Sequence, residues 1–151
     1  MPLQTTVSSS SSAITFTFTS VNFGAASPGR RLIGVVMARR TVVATSALSA
    51  ATIGGSTAVI HVGNASTDTA CNATIISAAE TTSTAGTITL TFNASQRWCA
   101  VALYREVYLT GTTPHATASD QGLTPVNATI AIPSAGLVIG GSSWADALET
   151  I

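Results

Sequence analysis

Two stretches of this sequence alternate strictly between threonine and apolar residues, one over residues 14–19 and the other over residues 87–92. Because successive side chains of a β-strand point to opposite sides, this period of two predicts strands with one buried face. Threonine is β-branched and suits the pleated backbone, while its hydroxyl suits the side that faces water. The residues predicted to point inward are Ile14, Phe16 and Phe18 in the first strand and Ile88, Leu90 and Phe92 in the second.

Two longer apolar stretches lack this alternation. One covers residues 32–38, between Arg31 and Arg39, and the other covers residues 98–109. A short, β-branched apolar run is typical of a strand that is covered on both faces. Both stretches therefore predict strands at the centre of a sheet, and Trp98 is expected in the core.

Turn signals divide the rest of the chain into short segments. Gly54 and Gly55 separate two apolar segments, residues 48–53 and 57–62, which predicts a hairpin with a tight turn. Eight to nine short strands separated by turns predict an all-β fold, an antiparallel β-sandwich of jelly-roll-like type. A weaker pattern predicts a strand over residues 70–79. Further strands are predicted over residues 126–132 and 137–139, and a short helix over residues 143–151.

The length of 151 residues fits one domain. Residues 8–12 are all serine, so residues 1–13 are predicted to be a flexible Ser-rich N-terminal arm. Residues 14–151 are then the β-sandwich domain. The start of the chain lacks the basic and apolar regions of a signal peptide. No stretch reaches the roughly 18 apolar residues of a membrane span, so we expect no membrane insertion.

Charged residues make up only 8% of the chain, and lysine is absent. Six arginines balance six acidic residues, which gives a formal net charge of +0. Nucleic-acid-binding proteins usually carry a basic field that neutralises phosphates, and disordered chains combine low hydrophobicity with high net charge. Neither class fits a neutral chain with 46% hydrophobic residues. A neutral surface of serine and threonine tends to associate, which suits a subunit of an assembly.

No spacing of chemical groups in the sequence predicts an active site. No nucleophile elbow, phosphate loop, dinucleotide fingerprint or calcium loop is present. Cys71 and Cys99 do not combine with the two histidines in any zinc-ligand spacing. We therefore expect no enzyme activity, no cofactor and no metal. With cytoplasmic synthesis, both cysteines are expected to be buried free thiols, and a disulfide between them is the alternative.

The candidate contact residues are charged or aromatic side chains at predicted strand ends and in loops. The arginine pairs that flank residues 32–38 are either solvated strand ends or part of an interface. Glu106 interrupts an apolar strand beside Arg105, as an edge pair or as a buried pair between subunits. The predicted interface set is Arg30, Arg31, Arg39, Arg40, Glu106 and Trp144. The predicted glycan-contact set is His115, Asp120 and Trp144.

Several strand-and-turn segments follow one another in a characteristic order. They are Phe23-Gly24-Ala25-Ala26-Ser27-Pro28 with Arg31 before an apolar strand, residues 48–55 before a second, Val101-Ala102-Leu103-Tyr104 with a Gly-Thr turn, and residues 132–139. This order resembles a group of small β-sandwich proteins from tailed phages, prophages and gene transfer agents. The resemblance runs from Ile14 to Trp144 and involves scaffold positions, so it carries over no functional residue.

The resemblance implies a virion component, such as the base of a head spike, a head fibre or a tail-fibre module. Such a protein is expected to assemble in the bacterial cytoplasm as a homo-oligomer, a pentamer or a trimer. Its expected partners are other virion proteins and, in addition, host surface polysaccharide. Similar proteins continue with further strands, so we expect either a native chain that continues past Ile151 or a partner that completes the sheet.

Three functions are therefore considered for this sequence. The first is a structural virion protein, and the second is a carbohydrate-binding module or adhesin that contacts cell-surface polysaccharide. The third, an enzyme, would need an acid/base pair. Only Asp68, His115 and Asp120 lie in predicted loops where such groups would meet, and nothing in their spacing requires it.

Overall fold

The computed structural model describes residues 1–40, 46–65, 71–80, 82–107, 116–118, 129–131 and 138–141. Within these residues the chain forms nine β-strands and no helix. The strands are β1 (Leu3–Ser9), β2 (Ala13–Asn22), β3 (Arg31–Arg39), β4 (Leu48–Ile53), β5 (Ser56–Thr57), β6 (Val59–Ala65), β7 (Cys71–Ala79), β8 (Ala85–Gln96) and β9 (Trp98–Glu106).

The nine strands form two antiparallel sheets. The five-stranded sheet has the order β1-β9-β3-β7-β6, and the four-stranded sheet has the order β2-β8-β4-β5. Strands β1 to β4 alternate between the two sheets, as strands do in a jelly roll. The predicted fold class, an all-β antiparallel sandwich of eight to nine short strands, is confirmed.

The core lies between the sheets and contains the aromatic residues of the two alternating strands. Phe16 contacts Phe18 and Phe92, and the edge-to-face pair of Phe16 and Phe92 has ring centroids 6.0 Å apart. The water-facing residues of β2 and β8 are mostly threonine, as the alternation predicted. Other large core residues are Phe23, Leu32, Val36, Ile53, Ile76, Ile88, Leu90, Val101 and Leu103.

Two irregularities in the pairing of β2 with β8 change which residues face the core. The register shifts between Ala13 and Thr15, and Ile14 is 52% exposed, so the prediction that it points inward is wrong. The second shift separates Phe18 from Val21 and includes Ser20, whose φ is +55°. This bulge lets Phe18 and Val21, three residues apart, both point into the core.

Strand β3 is the central strand that the sequence predicted. It pairs along its whole length with β7 on one side and β9 on the other. Residues 32–36 are all buried, so both faces of the strand are covered. Trp98, at the start of β9, is only half-buried and is not part of the core cluster, which corrects its expected position.

The first strand corrects the expected domain boundary. Residues 3–9 pair antiparallel with β9, from Leu3 opposite Tyr104 to Ser9 opposite Cys99. The prediction of a flexible arm is therefore wrong for these residues. Val7 packs against the core between the sheets, which explains why a stretch of polar sequence with few apolar residues is held in place.

The predicted hairpin forms only in part. Gly54 and Gly55 have φ values of +62° and +85°, which a tight turn with two left-handed residues requires. Strand β5 pairs with β4 for two residues, and the chain then crosses to the other sheet as β6. Residues 129–131 and 138–141, where two strands were expected, are irregular. The expected helix over residues 143–151 lies outside the described residues.

Candidate interaction surface

The five-stranded sheet has an apolar outer face, on the side opposite the core. The register places Ile33, Val35 and Met37 of β3 on this side, beside Ile75 of β7 and Ala100 of β9. We call these five residues the outer apolar face. Ile33, Val35 and Ala100 are only 3–4% exposed, although none of them belongs to the core cluster between the sheets. The sheet thus buries apolar side chains on both sides.

A short chain of polar contacts borders the outer apolar face. Nη1 of Arg31 donates to the hydroxyl of Ser77 at 3.3 Å, and that hydroxyl lies 2.6 Å from Nε2 of His61. Burial, followed by the charge of Arg31, lowers the pKa of His61 and favours the neutral ring. Because the guanidinium can only donate, the Ser77 hydroxyl accepts from Arg31, and the direction of its hydrogen bond with Nε2 is set by the tautomer of His61.

This serine–histidine contact resembles part of a nucleophile–base pair, but its surroundings do not fit that chemistry. Ser77 is 2% exposed, so a substrate has no access to its oxygen. No carboxylate of the described residues contacts His61, so the third group that orients a catalytic histidine is not among them. The contact satisfies polar groups at the bulge between Ile60 and Val62 of β6.

Arg30 is a structural residue inside the fold. Its side chain is fully buried, and Nη1 donates to the carbonyl oxygens of Gly24 and Ala25 at 3.0 Å each. Nε donates to the carbonyl of Glu80, and Nη2 donates to the carbonyl of Ser83. The guanidinium thereby joins the β2–β3 connection to the segment after β7. Enclosed by its own chain, Arg30 has no surface to offer a partner, which contradicts its predicted interface role.

Glu80 completes this buried cluster. Its Oε1 accepts hydrogen bonds from the backbone N–H of Ser83 at 3.0 Å and of Thr82 at 2.9 Å, and it lies 3.7 Å from Nη2 of Arg30. These two backbone donors, together with the Thr82 hydroxyl and Arg30, outweigh burial and hold the pKa of Glu80 below its usual value. The carboxylate is thus stabilised in its charged form.

The lowered pKa of Glu80 predicts how Glu80→Gln changes the acid sensitivity of the protein. The folded protein binds this proton more weakly than the unfolded chain, whose glutamate pKa is about 4.3. The charged carboxylate therefore stabilises the fold above that pH, and the stabilisation is lost as the pH falls through the lower folded pKa. We expect Glu80→Gln to be less stable than the wild type at pH 7, with a difference that narrows towards pH 3. Urea unfolding at several pH values measures it, and a constant difference would contradict the assignment.

Apart from Trp144, the remaining predicted interface residues fall into two groups at opposite ends of β3. Arg31 is half-buried and lies opposite Glu106, whose Oε1 accepts from the Val107 backbone N–H at 2.7 Å. Arg39 and Arg40 are half-buried at the other end of the strand. The structure therefore does not bring the arginine pairs together. His115, Asp120 and Trp144 lie outside the described residues, as does Asp68.

Three of the strands at the sheet edges share a feature that the sequence analysis missed. In the described part of the chain, β1 and β6 end the five-stranded sheet and β2 ends the other sheet. None of these strands contains a charged residue or a proline. Natural proteins usually protect sheet edges with such residues, because an unpaired edge is a template for another strand. Exposed apolar side chains on these edges are Leu3, Ile14, Val59 and Ile60.

The two cysteines are free and buried, as expected. Cys99 points into the core, and burial raises the pKa of its thiol to about 12. Cys71 lies on the outer side of the five-stranded sheet, and burial raises the pKa of its thiol as well. Neither thiol is in the charged, reactive form at neutral pH.

Among the described residues, no three metal-ligating side chains lie together, and no helix could span a membrane. Comparison with protein-family models, with curated proteins and with solved structures finds no match to this chain.

Proposed function

We propose that this protein is a structural subunit of a phage-like particle, a capsid spike or fibre base that docks to itself and to other virion proteins. The proposal rests on one observation, which is that several sheet edges lack protecting residues. Strands β1, β2 and β6 offer edges without charge or proline, and they carry exposed apolar side chains. Such edges favour the addition of a strand from a neighbouring subunit.

The distribution of charge supports the same proposal. All six arginines lie at strand ends or in connections, and none belongs to the three edge strands. Lysine, the residue that most often protects an exposed edge, is absent from the sequence. A surface without repelling charges associates readily, so a symmetric oligomer within a virion is the environment that suits it.

A lysine at the β2 edge is expected to weaken the oligomer. Thr17 is exposed on β2, and Thr89 lies directly opposite it on the neighbouring, internal strand β8. In a symmetric edge contact, Thr17→Lys places like charges close together, and each 1.4 kcal/mol of repulsion raises the dissociation constant about tenfold. Thr89→Lys puts the same charge on the same face away from the edge, and it is expected to leave assembly unchanged. Sedimentation and native mass spectrometry measure the oligomer.

Two results would overturn this proposal. One is a wild-type protein that stays monomeric at every concentration and is absent from particles seen by electron microscopy. The other is equal weakening of the oligomer by Thr17→Lys and Thr89→Lys, because that result would place the contact on the sheet face and not at the edge.

The carbohydrate-binding alternative stays a prediction. His115, Asp120 and Trp144, the residues on which it rests, lie outside the described residues, so no contact in the structure bears on it. Binding of the full chain to a defined surface polysaccharide, lost in Trp144→Ala, would favour it.

A further inference from the structure

The outer apolar face is buried more deeply than an uncovered sheet face allows. The outer side of the other sheet provides an internal comparison, because Thr89 and Thr91 on its internal strand β8 are only half-buried. Ile33 and Val35 occupy equivalent internal positions on β3, yet both are 4% exposed. Neighbours within a sheet cannot enclose the tip of an outward-pointing side chain, so further atoms must lie over these residues.

Gly141 identifies part of what lies over this face. A Cβ atom added at Gly141 would lie 2.2 Å from Cγ1 of Val35 and 3.6 Å from its Cβ. Carbon atoms in van der Waals contact are about 3.5–4.0 Å apart, so only glycine fits against Val35 at this position. A Cβ at the adjacent Gly140 would have no atom within 4 Å. The backbone at Gly141 thus rests directly on Val35.

We propose that the outer apolar face is a docking surface for the C-terminal segment of the same chain, residues 138–141, with Gly141 seated on Val35. The segment covers Val35, an apolar residue that the core between the sheets does not include. The proposal goes beyond the proposed function, because it concerns contacts within one chain.

A disulfide trap tests the docking directly. Cβ atoms joined by a disulfide are about 3.5–4.5 Å apart, and the Cβ separation of 3.6 Å between positions 35 and 141 falls in this range. We expect Val35→Cys with Gly141→Cys to form a crosslink within one chain when the full-length protein is oxidised with diamide. The matched control, Val35→Cys with Gly140→Cys, is expected to stay uncrosslinked. Peptide mapping distinguishes this bond from bonds to Cys71 or Cys99.

The outcomes separate the alternatives. A crosslink within the chain supports the proposal, whether the protein is monomeric or oligomeric, so the test is independent of the proposed function. A crosslink between two chains would overturn it, because the segment would then dock on a neighbouring copy. Absence of a crosslink, or equal crosslinking in both variants, would overturn it as well.

A second measurement needs no added cysteine. Gly141→Ala is expected to displace the segment and raise the fluorescence of a dye that binds apolar surface, with the β-sheet circular dichroism unchanged. Gly140→Ala is expected to leave the fluorescence at the wild-type level. Val35→Ala removes the methyl group that the new Cβ meets, so adding it to Gly141→Ala is expected to lower the signal again. Equal fluorescence of the two glycine variants would contradict the close approach.

Discussion

Replacement of Arg30 with methionine is expected to lower the free energy of unfolding by about 3–5 kcal/mol, the range for breaking a buried ion pair from one side. The variant keeps most of the side-chain volume but removes all the donors. The carboxylate of Glu80 then stays buried without its cation, and the carbonyl groups of residues 24, 25, 80 and 83 lose a hydrogen bond. Denaturant unfolding followed by tryptophan fluorescence measures the loss.

Two variants control for this result. Arg97→Met removes an exposed arginine, and a change within about 0.5 kcal/mol is expected. Adding Glu80→Gln to Arg30→Met removes the unpaired charge of the Glu80 carboxylate. The double variant is therefore expected to lose less stability than the sum of the losses of the two single variants. Strict additivity, or an Arg30→Met variant as stable as Arg97→Met, would show that the buried cluster does not hold the two segments together.

Phe16→Ala is expected to destabilise the protein by about 3–5 kcal/mol, as deletion of a large buried aromatic side chain does. Phe16 lies at the middle of the core, where it contacts Phe18 and stands edge-to-face with Phe92. The cavity left by the ring lies between two sheets that are held apart by neighbouring side chains, so it cannot fully close. The same unfolding measurement gives the value.

Ile14→Thr is the matched variant for Phe16→Ala. Strict alternation puts positions 14 and 16 on the same face, and it would predict a large loss for both. The structure instead leaves Ile14 half-exposed beside a shift in register, so a change within about 0.5 kcal/mol is expected. A loss of several kcal/mol for Ile14→Thr would mean that β2 keeps its regular pairing up to residue 14.

The fold could be predicted from the sequence where the pattern depends only on neighbouring residues. Threonine alternation located β2 and β8, the unbroken apolar run located β3, and Gly54 with Gly55 located a tight turn. The errors arise where the deciding interaction is distant. Residues 3–9 have too few apolar side chains to signal a strand, and they form one because β9 provides the hydrogen-bonding partner. Alternation also cannot reveal the bulges that expose Ile14 and bring Val21 inward.

The candidate interaction surface could be predicted from the sequence less well than the fold. Arg30 and Arg31 are adjacent in sequence, yet one is enclosed by backbone carbonyls from two connections and the other borders the outer apolar face. The contact between His61 and Ser77 joins two strands, and the spacing of the two residues in the sequence does not predict it. Which strands become edges depends on the sheet order, which a single sequence does not contain. Sequence could give residue types, but only the topology gives their roles.

The pairing of β1 with β9 also has a consequence for biosynthesis. Strand β1 cannot pair until β9, about a hundred residues downstream, has been synthesised. That synthesis takes about 5–20 s at ordinary rates of translation. During that interval residues 3–9 remain an unpaired, uncharged segment that is exposed to other nascent chains. Closure of the sheet is a late, non-local step, and such steps make β-rich proteins slow folders.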